Sequence, residues 1–130
     1  MNSKSSPDSS PAGPSCSTEP HLPLPRTAFS QAAFSRAAAL FRALGDAERL
    51  KLLETLAHRE VCVTELSEIS GYNISTVSQR LRILRTEGLV VHRREGKHIF
   101  YALTDQHIVE LVRNALDHVS ESTGAKRDPT

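Results

Sequence analysis

The chain has 130 residues, enough for one domain with one hydrophobic core. Its 16 basic and 15 acidic residues give a net charge of +1, so only a local excess of positive charge can attract nucleic acid. No apolar run approaches the ~18 residues of a membrane span, no secretory signal is found, and two cysteines make no disulfide framework. We therefore expect a soluble, cytoplasmic protein.

A Ser- and Pro-rich segment comes first. Residues 1–25 contain six of the seven prolines and lack apolar periodicity, which predicts a disordered tail over residues 1–26. One domain is predicted over residues 27–122, followed by a frayed end at residues 123–130.

Two helices are predicted at the start of this domain. Apolar residues recur at helical spacing from Phe29 to Leu44, which indicates a first helix ending near Gly45. Asp46 is a favourable N-cap for a second helix, whose body covers residues 49–57. The expected buried positions of the second helix include Leu50, Leu53 and Leu56.

Two shorter helices follow an apolar link at residues 61–63. Thr64 is expected to cap the third helix, which stops at Gly71. The fourth helix starts at Asn73 or Ser75, and the break between the two has the length of a helix-turn-helix. The fourth helix continues to about Thr86, ends before Gly88, and has a predicted buried stripe of Ile74, Val77, Leu81 and Leu84.

A hairpin and a fifth helix complete the domain. Alternating residues predict strands over Leu89–Arg94 and His98–Leu103, with Glu95-Gly96 as the turn. Thr104 or Asp105 caps a fifth helix, whose wide apolar stripe is typical of a helix covered by a second subunit. That helix extends to about Ser120, with apolar positions at Ile108, Leu111, Val112, Ala115, Leu116 and Val119. The order is ααααββα, a mainly α winged helix-turn-helix with a β-hairpin wing.

Basic residues concentrate on the fourth helix and the hairpin. Residues 80–97 contain six basic and two acidic side chains, a local charge of +4. Ser and Gln on the exposed helix face can bind base edges, and Arg can bind guanine or phosphate. Basic residues at the hairpin tip would lie along phosphates. The candidate DNA-binding residues are Ser75, Ser78, Gln79, Arg82, Arg93, Arg94 and Lys97.

Four metal-capable side chains lie on the fifth helix: Asp105, His107, His118 and Glu121. At about 1.5 Å of rise per residue, the two histidines are roughly 16 Å apart along the axis, so one ion cannot bind both within one chain. Two antiparallel copies would bring Asp105 and His107 of one copy to His118 and Glu121 of the other. This gives a four-ligand shell that zinc accepts, twice in a two-fold dimer.

Five segments between about residues 32 and 121 form recognisable motifs: LGDAERLKLLETL, VCVTEL, STVSQRLRILRTEGLV, EGKHIFYAL and DQHIVELVRNALDHVSE. In these segments the chain resembles the ArsR/SmtB family of winged-helix metal-sensing repressors. The D-x-H and H-x-x-E pairs of the fifth helix resemble the zinc-sensing branch of that family.

The resemblance implies a homodimer that binds a palindromic operator when apo and releases it on binding metal, which derepresses metal efflux or sequestration genes. Zn(II) is the implied regulatory ligand, with Co(II), Cd(II) and Ni(II) left open. It assigns base reading to Ser75, Ser78 and Gln79, and metal binding to the four residues of the fifth helix. Thr64 replaces the second Cys of the family's Cys-x-Cys pair, which argues against a thiolate site of the arsenic and lead sensors.

Two alternatives use the cysteines. Cys16, His21, Cys62 and Glu65 have the side chains for a second metal site. Cys16 and Cys62 are also the pair that a redox-responsive repressor on the same scaffold would use, although a buried Cys62 also acts as a small apolar residue. No nucleophile or general-base constellation is found, so we expect no enzyme activity.

Overall fold

The computed structural model describes residues 20–122, and for Ser122 only its place in a helix. Within that range the chain forms five helices and a three-stranded antiparallel sheet of order β1-β3-β2. Of the tail predicted over residues 1–26, residues 1–19 lie outside the described residues, as does the predicted frayed end at residues 123–130; residues 20–26 are exposed and form no helix or strand. The elements are α1 (Gln31–Leu44), α2 (Ala47–Leu56), β1 (Val61–Cys62), α3 (Val63–Ser70), α4 (Ile74–Thr86), β2 (Val90–Glu95), β3 (His98–Leu103) and α5 (Gln106–Ser122).

Side-chain caps determine where α1 and α2 begin. Ser30 Oγ accepts a hydrogen bond from the backbone N–H of Ala33, so α1 begins after Phe29, which the sequence predicted to lie within the helix. Asp46 caps α2 as predicted, because its Oδ2 accepts from the backbone N–H of Arg49 at 3.0 Å. The Arg49 side chain also donates to the carbonyl oxygen of Ala43 at 2.7 Å, which ties the end of α1 to the start of α2.

The predicted apolar link is a strand, which corrects two expectations. Val61 and Cys62 form β1 and pair with Tyr101 and Phe100 of β3. Pairing keeps Cys62 extended, with φ −84° and ψ 159°, and α3 begins at the next residue. Thr64 therefore lies inside α3 and is not its cap.

Helix α4 packs through its predicted stripe. Asn73 Oδ1 caps the helix by accepting from the backbone N–H of Thr76 at 2.8 Å. Val77, Leu81 and Leu84 are fully buried, which confirms three of the four predicted positions. The fourth, Ile74, is the first residue of the helix and is about half exposed, so this prediction is wrong.

The hairpin turn is one residue later than predicted. Glu95 lies opposite His98, so the turn residues are Gly96-Lys97 and not Glu95-Gly96. Gly96 has φ +62°, which a two-residue turn of this kind requires. Lys97 is consequently at the tip of the wing.

The core lies between the helices and one face of the sheet, and its fully buried residues include Leu53, Leu66, Leu81, Leu89 and Val112. Helix α5 contacts α2 and β3 through this core. Only part of its predicted stripe is buried in the chain: Val112 is 1% exposed, but Val119 is 53% exposed. No helix of residues 20–122 has the length and apolar run that crossing a membrane requires.

Candidate nucleic-acid interface and metal ligands

The exposed face of α4 carries the predicted base-reading residues. Ser75, Ser78 and Gln79 are all exposed, and so is Arg82 one turn further on. They lie on the side of the helix away from the buried stripe, because that stripe recurs every three to four residues. The helix therefore presents hydroxyl, amide and guanidinium groups to the solvent along one side.

The turn before α4 is held by several contacts. Gly71 ends α3 in the left-handed region, with φ +81°. Ser67 Oγ donates to the carbonyl oxygen of Tyr72 at 2.6 Å. The guanidinium carbon of Arg80 lies 4.1 Å from the centre of the Tyr72 ring, a cation–π contact between the turn and α4. These contacts fix the angle at which α4 leaves the turn.

The six basic residues of segment 80–97 fall into two groups. Three are engaged within the chain: Arg80 with Tyr72, Arg85 with His92, and Arg93 with Glu60 and Glu95. The other three are exposed and form no ion pair with another described residue. This second group is Arg82, Arg94 and Lys97. Neither the composition nor the spacing of this segment distinguishes the two groups, because tertiary contacts bring the first group to its partners.

Arg93 and Glu60 perturb each other's titration. The hydrogen bonds to Glu60 and then to Glu95 raise the pKa of Arg93 above its ordinary value. The hydrogen bonds from Arg93 lower the pKa of Glu60 below the ordinary glutamate value. The pair is therefore charged at neutral pH, and Arg93 is the predicted DNA-binding residue whose charge is already neutralised within the chain.

The predicted metal ligands form two groups at opposite ends of α5. Asp105 Oδ1 lies 3.5 Å from His107 Nδ1 at the start of the helix, and His107 is 91% exposed. His118 and Glu121 are both exposed near its other end. Among residues 20–122 of one chain, no three His, Cys, Asp or Glu side chains gather where they could hold an ion. Each end of α5 thus offers one imidazole and one carboxylate.

Asp105, one of the two cap residues that the sequence predicted, caps α5. Its Oδ1 accepts a hydrogen bond from the backbone N–H of Ile108 at 3.2 Å, so it caps α5. Thr104, the other predicted cap, donates instead to the carbonyl oxygen of Gly88 at 2.6 Å. The cap fixes the Asp105 carboxylate at the helix start, beside His107.

The possible second metal site is only partly within the described residues. Cys62 is half-buried at the start of α3, and His21 is exposed. Glu65 forms an ion pair with Arg59, whose hydrogen bonds lower the pKa of the Glu65 carboxyl. Cys16 lies outside the described residues, so the four-residue site remains a prediction.

Exposed aromatic residues on α1 are a feature that the sequence reasoning missed. Phe34 and Phe41 are 52% and 57% exposed, and Phe29 packs edge-on against Phe34 with ring centres 6.4 Å apart. The spacing of Phe34 and Phe41 indicated this feature, because residues seven positions apart lie on the same face of a helix. Val119 of α5 is 53% exposed as well, so both helices carry apolar side chains at the surface.

Comparisons with known proteins relate the chain to bacterial regulators. A family model described as bacterial regulatory protein, arsR family, matches residues 46–91. The chain is 44% identical over 85 residues to a transcriptional repressor SmtB homolog of Synechocystis sp., covering 65% of this chain and 64% of that protein, just under two-thirds of its length. It is 36% identical over 85 residues to a cadmium resistance transcriptional regulatory protein CadC homolog of Staphylococcus aureus, covering 65% and 70%.

Among solved structures, the chain resembles a homodimeric winged helix-turn-helix DNA-binding domain from Mycobacterium bovis, a possible ArsR-family transcriptional regulator. The TM-score is 0.68 and the sequence identity 28%, over 75% of this chain and 91% of that one. The winged helix-turn-helix fold predicted from the sequence is thereby confirmed.

Proposed function

Because the chain belongs to the arsR family of bacterial regulatory proteins, we propose that it is a transcriptional repressor that binds operator DNA as an apo homodimer. Binding of Zn(II), or of a similar divalent metal, releases the operator and derepresses genes for metal efflux or sequestration. The protein acts in the cytoplasm on a palindromic operator and is not an enzyme.

One observation carries the DNA-binding part of the proposal. Ser75, Ser78 and Gln79 are exposed on α4, while Val77 and Leu81 on its other side are fully buried. A helix fixed in this way can enter the major groove with its polar side towards the base edges. The exposed cations that form no ion pair would then contact phosphates beside the groove, which positions the helix without specifying sequence.

Exposed apolar side chains support the homodimer. Phe34 and Phe41 of α1 and Val119 of α5 are each more than half exposed, and burial against a second copy would remove them from water. The Mycobacterium bovis domain of the same fold is homodimeric. A two-fold axis would present two α4 helices to successive major grooves, about 34 Å apart along the DNA.

The donor set on α5 suits a metal shared by two chains. Each end of the helix provides one imidazole nitrogen and one carboxylate, from Asp105 and His107 or from His118 and Glu121. Antiparallel α5 helices in the dimer would combine unlike ends into two shells of two nitrogens and two oxygens, which zinc accepts. The Staphylococcus aureus relative is named for cadmium resistance, a related divalent metal.

Helix α5 also connects these ligands to the DNA-binding elements. Ile108 and Val112, on its inner face, are buried in the core that holds α2, α3 and α4. Since a packed core moves as a unit, a change in the crossing angle of the two α5 helices changes the spacing of the two α4 helices. If the metal-bound angle fits DNA poorly, metal and DNA weaken each other's binding by the same factor.

A titration tests the proposal. Zinc is added to the protein on a duplex selected from a random-sequence pool, followed by a chelator, and fluorescence anisotropy reports the complex. We expect reversible release with two zinc ions bound per dimer. His118→Gln should bind DNA but not respond to zinc, and normal release by this variant would remove the α5 site as the sensor.

No observation on the described residues favours the redox-responsive alternative. Cys62 is half-buried beside Phe100, and its predicted partner Cys16 lies outside the described residues. The second metal site with Cys16, His21, Cys62 and Glu65 also stays a prediction. Replacing both cysteines by serine distinguishes the second metal site from the α5 site, because only zinc bound at the second site would be lost from the measured stoichiometry.

A further inference from the structure

Arg93 has a different environment from the other cations of the wing. Its Nε and Nη2 donate to the two carboxylate oxygens of Glu60, both at 2.8 Å. Its Nη1 donates to Glu95 Oε1 at 3.0 Å. The guanidinium carbon also lies 4.7 Å from the centre of the Phe100 ring. All three nitrogens are thus bonded to carboxylates of the same chain, and one face lies against an aromatic ring.

The charge around Arg93 does not favour a phosphate. One cation and two carboxylates, Glu60 and Glu95, leave this cluster with a net charge of −1. Adjacent Arg94 is exposed and forms no ion pair with another described residue. The local net charge is therefore negative at Arg93 and positive at Arg94, although the two arginines are adjacent in the sequence and were both predicted to bind DNA.

The contact of Arg93 with Glu60 connects distant parts of the fold. Arg93 lies opposite Phe100 in the sheet, and Phe100 lies opposite Cys62 of β1. The Arg93 side chain therefore passes over β3 to reach Glu60, which directly precedes β1 and is 33 positions away in the sequence. The next residue, Val61, is 1% exposed and so anchors this point in the core.

We propose that Arg93 is a positioning residue that holds the wing at a fixed angle to α3 and α4, and does not itself bind DNA. The inference rests on the proposed DNA-binding function, because wing angle matters only if the wing contacts a duplex. Glu60 leads through β1 directly into α3, so the ion pair joins the wing to the first helix of the helix-turn-helix. A bidentate ion pair with a carboxylate requires the planar guanidinium of Arg, and the ammonium group of Lys cannot form it.

Salt-dependent DNA binding distinguishes positioning from phosphate contact. The wild type, Arg93→Lys, Arg93→Gln, Glu60→Gln and the control Arg94→Gln are titrated onto the selected duplex at several salt concentrations. We expect both Arg93 variants and Glu60→Gln to weaken binding by about two- to fivefold, the factor that an exposed ion pair supplies. Their salt slope should stay at the wild-type value, whereas Arg94→Gln should lower it by about 0.9, one phosphate contact.

The opposite results would overturn the proposal. If Arg93 binds phosphate, Glu60→Gln strengthens binding by removing a competing carboxylate, Arg93→Lys keeps most of the affinity, and Arg93→Gln lowers the salt slope.

Hydrogen exchange of the free protein tests the positioning role of Arg93 without any DNA present. Backbone amides of the β2–β3 hairpin should exchange faster in Arg93→Gln and Glu60→Gln than in the wild type, and at the wild-type rate in Arg94→Gln. Unchanged exchange in the first two variants contradicts the positioning role. A wild type that binds no duplex contradicts the proposed function instead, so the two failures are distinguishable.

Discussion

The Asp105 carboxylate has one observed task and one proposed task. It caps α5 by accepting from the backbone N–H of Ile108, and it lies beside His107 in the proposed metal shell. Substitution by Ala would remove both tasks together. A serine hydroxyl caps a helix about as well as a carboxylate does, but it is not among the usual zinc ligands.

We therefore predict that Asp105→Ser and Asp105→Ala differ in stability but not in zinc response. Metal-free Asp105→Ala should lose about 1 kcal/mol of unfolding free energy, and Asp105→Ser only a few tenths. Urea denaturation at one protein concentration measures this difference. Neither variant should release DNA on zinc addition, and release by Asp105→Ser at wild-type zinc concentrations would exclude Asp105 as a ligand.

Glycine is favoured at position 71 by the backbone conformation and not by a lack of room for a side chain. Its φ is +81°, and an added Cβ would meet no atom within 4 Å. We predict that Gly71→Ala lowers the unfolding free energy by about 1 kcal/mol, because a left-handed backbone disfavours a side chain. Gly45→Ala is the matched control, since Gly45 also ends a helix but has φ −82°. Equal losses in urea denaturation would show that backbone conformation is not the cause.

Between elements, the exposed ion pair of Glu60 with Arg93 gives the stability a small pH dependence. Glu60 has a lowered pKa because it accepts hydrogen bonds from Arg93, so its contribution to stability is present above pH 4.5, the ordinary glutamate value. That contribution is lost as the pH falls through the lower pKa of the folded state. The Glu60–Arg93 ion pair joins β2 to the residue before β1. Arg59 and Glu65 form a similar exposed ion pair at α3.

We predict a pH-dependent difference between the wild type and Glu60→Gln. The wild type should have the higher melting temperature at pH 6–7, and the difference should shrink as the pH falls below 4.5 and protonates Glu60. Thermal unfolding monitored by circular dichroism across this range measures it. A difference that persists undiminished at pH 2–3 would mean that the substitution acts through something other than this ion pair.

At the level of the proposed dimer, the exposed face of α1 can be tested by one substitution. Phe41→Glu should weaken dimerisation by about 30-fold or more, the effect of losing an interface hot spot, because a charge would be buried against the second copy. Sedimentation equilibrium measures the dissociation constant. Val91→Glu is the control, since Val91 is similarly exposed but lies on the wing. Tight dimers of Phe41→Glu would place the interface away from this face of α1.

Features that depend on neighbours in the sequence could be predicted from the sequence. Asp46 and Asn73 cap their helices because the N–H groups that they satisfy are three positions away. The buried stripe of Val77, Leu81 and Leu84 follows from helical periodicity. The order of helices, the hairpin and the winged helix-turn-helix class follow from such local patterns, because each is encoded within one segment.

Other features depend on segments that meet only in the folded chain. The two-residue strand β1 has no periodicity of its own and exists because β3 lies beside it. The sequence predicted Arg93 as a DNA-binding residue, and the fold pairs its guanidinium with Glu60, 33 positions earlier. The sequence by itself therefore determined which chemical groups are present and on which face of a helix or strand they lie. Which of them are already paired was decided by tertiary structure, since pairing depends on distances between elements that no local pattern encodes.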